Sequence, residues 1–289
     1  MNGILAQIIS MFSFGMSNAL WRKPINKLIA EEAIVYRTVF TILFFSILLM
    51  FLGETTFMVS EKAFGMNMWV FTFLVSCLSY FGLFFFNKAL KCASTGFVVI
   101  VTTTTFLFGQ FTAFFILEES PELLYLLAFG LFLFSIVLAD YKSFIKLKFS
   151  KGIVYGLLAS LFWGVTFPLL SIPSKALGYI QTGLILEISV MAMSLLSLYL
   201  IQKKRVNFSH FKAHLKFFVL LGFFAGNGVL FNNLSYTKIP VYIAGAISSS
   251  THLVTIFIAW VLFKEKIKPH QFVAALLAGF SIYYITTIL

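Results

Sequence analysis

The sequence predicts an all-α integral membrane protein of ten transmembrane helices, arranged as two inverted five-helix repeats. Three observations carry that expectation. The 289 residues are 60% hydrophobic and 11% charged, against roughly 25% charged in a soluble domain, so too little polar surface remains to face water. The apolar stretches recur at about 20 residues, the length of a bilayer crossing, and in hydrocarbon such spans must be helices because backbone groups need partners within the segment. The basic residues then fall at every second gap between these stretches.

The spans lie near 3–21, 31–52, 66–87, 95–117, 122–140, 152–170, 179–201, 216–236, 240–263 and 270–289. The first lacks a basic n-region and a second follows about ten residues later, so it reads as a span and not a signal peptide. The second carries Arg37, and the third runs through Tyr80 to Asn87, stopping before Lys88. The fourth contains the polar run Thr102–Thr105, and the fifth leads into a basic linker, 141–151. That linker divides a first repeat, 1–140, from a second, 152–289. The sixth span holds Trp163 and the seventh Glu187; the eighth holds Asn233 and the ninth the run Ser248–Thr251. Loops this short leave no soluble domain, and no GxxxxGK[ST] phosphate loop occurs.

Lys and Arg form five groups, around Arg22–Lys27, Lys88–Lys91, Lys142–Lys151, Lys203–Lys216 and Lys264–Lys268, which hold 17 of the 21. Two spans separate each group from the next, so all five share one side. The positive-inside rule makes that side cytoplasmic in the cell membrane, with both termini outside. The net charge of +11 thus has a membrane cause and calls for no nucleic acid.

The halves resemble each other. Phe14-Gly15 and Pro24 recur 149 residues on as Trp163-Gly164 and Pro173; Gly82, Asn87 and Glu119 recur 146 residues on as Gly228, Asn233 and Glu265. The polar run Thr102–Thr105 falls on Ser248–Thr251 at the same offset. With five spans each, the second copy enters the membrane upside down, a transporter's layout. These features together resemble the EamA branch of the drug/metabolite transporter superfamily over essentially the whole chain: five plus five helices, an aromatic-Gly pair in helices one and six, an arginine in helix two, and a glutamate past the fourth span of each half. The resemblance implies a secondary transporter, often an exporter of amino acids or other small metabolites, with no bound cofactor. It also implies a cavity built from helices one to four and six to nine. Many members place both termini in the cytoplasm, whereas the charges here place them outside.

Polar residues inside apolar helices supply the candidate site. Glu187 lies roughly 12 Å into its helix, where a charge costs about 2.5–3.5 kcal/mol; it is a coupling group, a substrate contact or a protonated structural carboxyl. Arg37 is a gate or an anchor that snorkels to the interface. By span depth the two differ in height by roughly 10 Å of a 30 Å core, too far for a simple ion pair but suited to the two ends of a zwitterion. Asn87 and Asn233, repeat-matched amides, are substrate contacts or interhelical hydrogen bonders, and Tyr80 shares a helical face with Asn87. Thr103 and Ser249 stand for the two hydroxyl runs, of which some members line a cavity and others bond back to their own helix. His252 is a proton relay or a packing histidine. Asn18 and Trp163 occupy the first helix of each half and could offer an amide and an aromatic wall.

His210 and His214 share a face but sit in a basic amphipathic segment typical of a membrane surface, so no metal is expected. Cys77 and Cys92 offer neither disulfide nor ligand spacing, and the glycine pairs Gly152/Gly156 and Gly222/Gly226 suit packing within a monomer, or at most a weak dimer. The expected partners are a small-molecule substrate, a coupling proton and the bilayer. A membrane-embedded enzyme is the alternative, but the chain lacks paired deep acids or histidines. A receptor or scaffold is the other, and it would leave the repeat unexplained.

Overall fold

The computed structural model describes residues 1–52, 61–119 and 150–264, with isolated helical positions between 130 and 138 and between 269 and 284. Among the described residues, eight helices are long and apolar enough to cross a membrane. They match eight predicted spans; the predicted helices at 122–140 and 270–289 lie outside the described residues except for those isolated positions, and Glu265 lies outside them.

Chain order begins with α1 (Gly3–Leu20), the short α2 (Arg22–Ile25) and α3 (Ala30–Leu52). A hairpin of β1 (Lys62–Ala63) and β2 (Met66–Asn67) follows, turned by Phe64 and Gly65 at positive φ, the geometry two-residue hairpins prefer. Residues 66 and 67, expected at the start of the third span, are therefore strand. Asn67 then caps α4 (Met68–Cys92) by accepting from the Trp69 N–H at 2.9 Å. This helix outruns its predicted end at Asn87 because its lysines need no aqueous loop. Lys91 donates to the Leu28 carbonyl, and Lys88 rests over the Phe84 ring.

The fourth span is broken into α5 (Thr95–Thr102) and α6 (Thr105–Phe115). The second half continues with α7 (Lys151–Leu169), α8 (Ser171–Ala176) and α9 (Tyr179–Leu196), which ends in a π-turn, Ser197–Ile201. Gly178, at φ 91°, turns the chain into α9. The remaining helices are α10 (Phe208–Ala213), α11 (Leu215–Tyr236), α12 (Val241–Ser248) and α13 (Thr251–Phe263).

Hydroxyl bonds back to the helix mark both breaks. Thr102, Thr103 and Thr104 donate their hydroxyls to Val99, Ile100 and Val101 carbonyls at 3.0, 2.5 and 2.8 Å, and Ser249 donates to Ala246 at 2.5 Å. Hydroxyls that compete for helix carbonyls bend the helix. The two breaks stand at the same repeat offset the sequence shows.

Helix α1 lies mainly along α11 and α7 along α4, while α3 and α9 pack on each other. Small residues permit these approaches: Gly228 meets Phe14, Gly82 meets Trp163, and Gly222 and Gly226 meet Phe40 and Phe44. The outside is apolar where a soluble protein would be charged, with Phe51 84% and Ile201 74% exposed.

Candidate functional site

The helices enclose a central cavity of about 170 Å³, bordered by α1, α3, α4, α5, α6, α7, α9, α11, α12 and α13. Arg37 from α3 and Glu187 from α9 meet in its wall. Arg37 Nη1 lies 2.7 Å from both Glu187 oxygens and 3.3 Å from Thr41 Oγ1, with the two side chains 6% and 2% exposed. The expectation that they stand too far apart for an ion pair is corrected. Span depth places only backbone heights, and the flexible stem of arginine closes the remainder because α3 and α9 are in direct contact. Arg37 Nε has no hydrogen-bond partner among the described residues.

Of the other sequence candidates, Asn18, Thr103, Trp163, Ser249 and His252 also line the cavity. Trp163 stacks on Phe167 (centroids 6.0 Å apart, 24° between planes) and tilts against Phe86, and Phe14 approaches Phe167 at 6.1 Å. These rings form an aromatic wall. His252 Nδ1 bonds the Ser249 carbonyl, so this nitrogen carries a proton. Thr103 and Ser249 turn their hydroxyl hydrogens back to their own helices and offer the cavity only lone pairs.

Tyr80, Asn87 and Asn233 do not reach the cavity wall. Tyr80, 2% exposed, packs on Phe81 and Phe84 at 5.3 and 5.8 Å. Asn87 is fully buried, with neither amide atom bonded to a described residue, and Asn233 donates to the Tyr179 carbonyl at 3.3 Å. The cavity is reached instead by Ser79, one residue before Tyr80, and by Asn232, one residue before Asn233. Adjacent residues of a helix project about 100° apart, so matching positions between repeats found the level and missed the face.

Sequence reasoning also missed Gln110 and Ser17, which line the cavity. Gln110 donates to the Tyr242 carbonyl at 2.9 Å, and its Oε1 has no partner among the described residues. Behind Asn232 stands Gln7, wholly buried, whose amide contacts Asn232 Oδ1 (3.2 Å), Ser248 and Ser235. A search for repeated polar residues could not find these, because the repeat equivalents of Asn232 and Gln110 are Phe86 and Ile256. A buried amide within an apolar span was the available signal.

Glu119 stands apart from the cavity and serves the fold. Its two oxygens accept the Val241 and Tyr242 N–H groups at 2.9 and 3.0 Å, capping α12. His210 turns to Glu32, 3.4 Å away. Among the described residues, no three His, Cys, Asp or Glu side chains gather to hold a metal ion.

Comparison with known proteins agrees with this architecture. The model of the EamA-like transporter family matches residues 1–139 and again 150–287. No curated protein matches the chain. Among 29 matching chains of solved structures, one crystal structure of a protein superposes with a TM-score of 0.72. It covers 99% of this chain and 96% of its own at 14% identity, a likeness of fold.

Proposed function

The chain belongs to the EamA-like transporter family, and from that premise we propose that it is a secondary transporter of a small zwitterionic metabolite, an amino acid or related compound, working by alternating access as an exporter or exchanger. The observation that carries the substrate class is the Arg37–Glu187 pair in the cavity wall. Two buried charges are expensive in a membrane, and a structural pair can often be replaced by apolar packing without loss. A zwitterion gives the pair a use. Its carboxylate takes the Arg37 guanidinium and its ammonium takes Glu187, so one ion pair becomes two and no charge is left unpaired. The aromatic wall of Trp163 and Phe167 receives the rest of the molecule.

Several features support the transport cycle. The elements of the first half recur in order in the second, α1/α7, α3/α9, α4/α11, α5–α6/α12–α13, with equivalent breaks beside the cavity. Discontinuous helices at a midplane site are a recurrent transporter device. We read the halves, 1–140 and 152–289, as inverted repeats that rock about this site, with the basic loops cytoplasmic and both termini outside. Glu187, when no substrate ammonium occupies it, and His252, which also lines the cavity, would carry the coupling proton.

Counterflow in proteoliposomes tests this reading. Vesicles loaded with an unlabelled zwitterion should accumulate its labelled form, and Arg37→Gln and Glu187→Gln should each abolish the exchange. Equal counterflow of uncharged analogues, or normal rates in both variants, would overturn it.

A further inference from the structure

On the face that holds the basic clusters, a second crevice of about 440 Å³ opens between helix ends. Arg22, Lys23, Asn26 and Lys27 line it from α2 and the residues after it; Phe217 from the start of α11, with Leu262 and Phe263 from the end of α13, form its other wall. Arg22 is committed to the structure, donating to the Leu90 and Ala93 carbonyls at 2.7 and 2.9 Å. Lys23 and Lys27 are exposed, and neither is ion-paired to a described residue. Lys23 Nζ stands 4.7 Å over the Phe217 ring, where the polar and apolar walls meet.

The acids at the start of α3 bond elsewhere, and one Glu31 oxygen, Oε2, is buried with no hydrogen-bond partner among the described residues. Glu31 accepts from Gln202 at 2.8 Å, and Glu32 accepts the Asn207 N–H at 3.2 Å. The positive field is felt locally: His214, just outside α11, is held below the usual histidine range by burial and then by Lys27, His210 and Lys23. Beside the crevice the surface is apolar, with Trp260 and Val261 53% and 51% exposed.

We propose that this crevice binds the headgroup of an anionic phospholipid. The phosphate takes Lys23 and Lys27, the polar part of the headgroup takes Asn26, and the acyl chains run down Phe217, Leu262 and Phe263 toward the bilayer. A soluble anion would use only the lysines and gain nothing from the apolar wall, so the lipid is the source to which the site is fitted. Basic pockets between transmembrane helices commonly serve this purpose. Because α11 and α13 both line the central cavity and both border the crevice, a lipid held between their ends would fasten them together at this face. The inference is independent of what the cavity carries.

Native mass spectrometry of the protein released from bilayers of equimolar phosphatidylglycerol and phosphatidylcholine tests it. The unmodified protein should retain phosphatidylglycerol preferentially, and rising salt should erase the preference. A lysine near an anionic surface contributes about fivefold in affinity, so Lys23→Gln/Lys27→Gln should lower the preference by roughly 25-fold or to unity. Lys203→Gln/Lys204→Gln, on the same face outside the crevice, should leave it unchanged. Equal retention of the two lipids overturns the proposal, and so does a preference that survives Lys23→Gln/Lys27→Gln. Inorganic phosphate binding as well as the lipid at equal concentration would overturn it in favour of a small-anion site.

Discussion

Replacing the members of the central ion pair one at a time and then together separates its structural role from its functional one. In Glu187→Leu, Arg37 loses both oxygens at 2.7 Å and keeps only Thr41 at 3.3 Å, while its guanidinium cannot shed its charge. Removing one partner of a buried pair costs about 3–5 kcal/mol, and this variant should lie at the upper end. Arg37→Met leaves a carboxyl that can take up a proton, so its cost should lie at or below the lower end of that range, about 3 kcal/mol. The double variant leaves no charge unpaired, and buried pairs exchanged for apolar side chains of similar volume are often neutral. It should therefore recover most of the loss and lie within about 2 kcal/mol of the unmodified protein, so single costs of about 5 and about 3 kcal/mol imply a coupling energy of about 6 kcal/mol, well above the roughly 0.5 kcal/mol of independent sites. Reversible unfolding of purified protein in bilayer discs measures all four states, and counterflow measures their activity. The double variant should be folded and inactive. Additive single effects would refute the reasoning, because the charges would then not be paired within the membrane.

Other consequences follow from single contacts. Gly228→Ala would place a Cβ 2.6 Å from the Phe14 ring and Gly82→Ala would crowd Trp163 in the same way, so each should cost about 1–3 kcal/mol by overpacking and slow counterflow by driving an aromatic ring into the cavity; unaltered stability and rate would contradict this. Asn233→Ala removes one bond to the Tyr179 carbonyl and should cost about 1 kcal/mol, with substrate affinity unchanged, because the residue is off the cavity wall; a large loss of affinity at normal stability would place it in the site after all. Glu119→Ala uncaps α12 by removing two charge-assisted bonds and should cost about 3 kcal/mol in unfolding measurements. For orientation, a cysteine at Lys238 should react with an impermeant thiol reagent outside intact cells and one at Lys203 should not; the opposite pattern would reverse the topology.

Much of the architecture was legible because the bilayer imposes it. Apolar length and the alternation of basic loops place helices without any knowledge of packing, and α3 and the α9 span match their expected limits almost to the residue. The end of α4 was less legible, since its lysines bind a carbonyl and an aromatic ring and the helix continues past them. The hydroxyl runs were recognised as special, and they lie where two helices break at equivalent positions. The site was legible by level but not by face. Repeat matching chose Asn87 and Asn233, whereas the cavity is lined by Asn232 and Gln110, whose equivalents are apolar, so the polar lining does not follow the repeat. The Arg37–Glu187 pair stayed hidden because span depths describe backbones and the contact is made by side-chain reach.

The central claim, that a zwitterion bridges Arg37 and Glu187 in the cavity, is tested most directly by ligand-induced stabilisation of purified protein. A ligand present at 100 times its dissociation constant stabilises the folded state by about 2.7 kcal/mol, readily seen as a rise in Tm. In a panel of amino acids, the matching amines, the matching carboxylic acids and nucleosides, the account predicts that a zwitterion alone raises Tm. Its singly charged analogues should fail, and Arg37→Gln and Glu187→Gln should each erase the shift. A ligand that stabilises both variants as strongly as the unmodified protein would contradict the account.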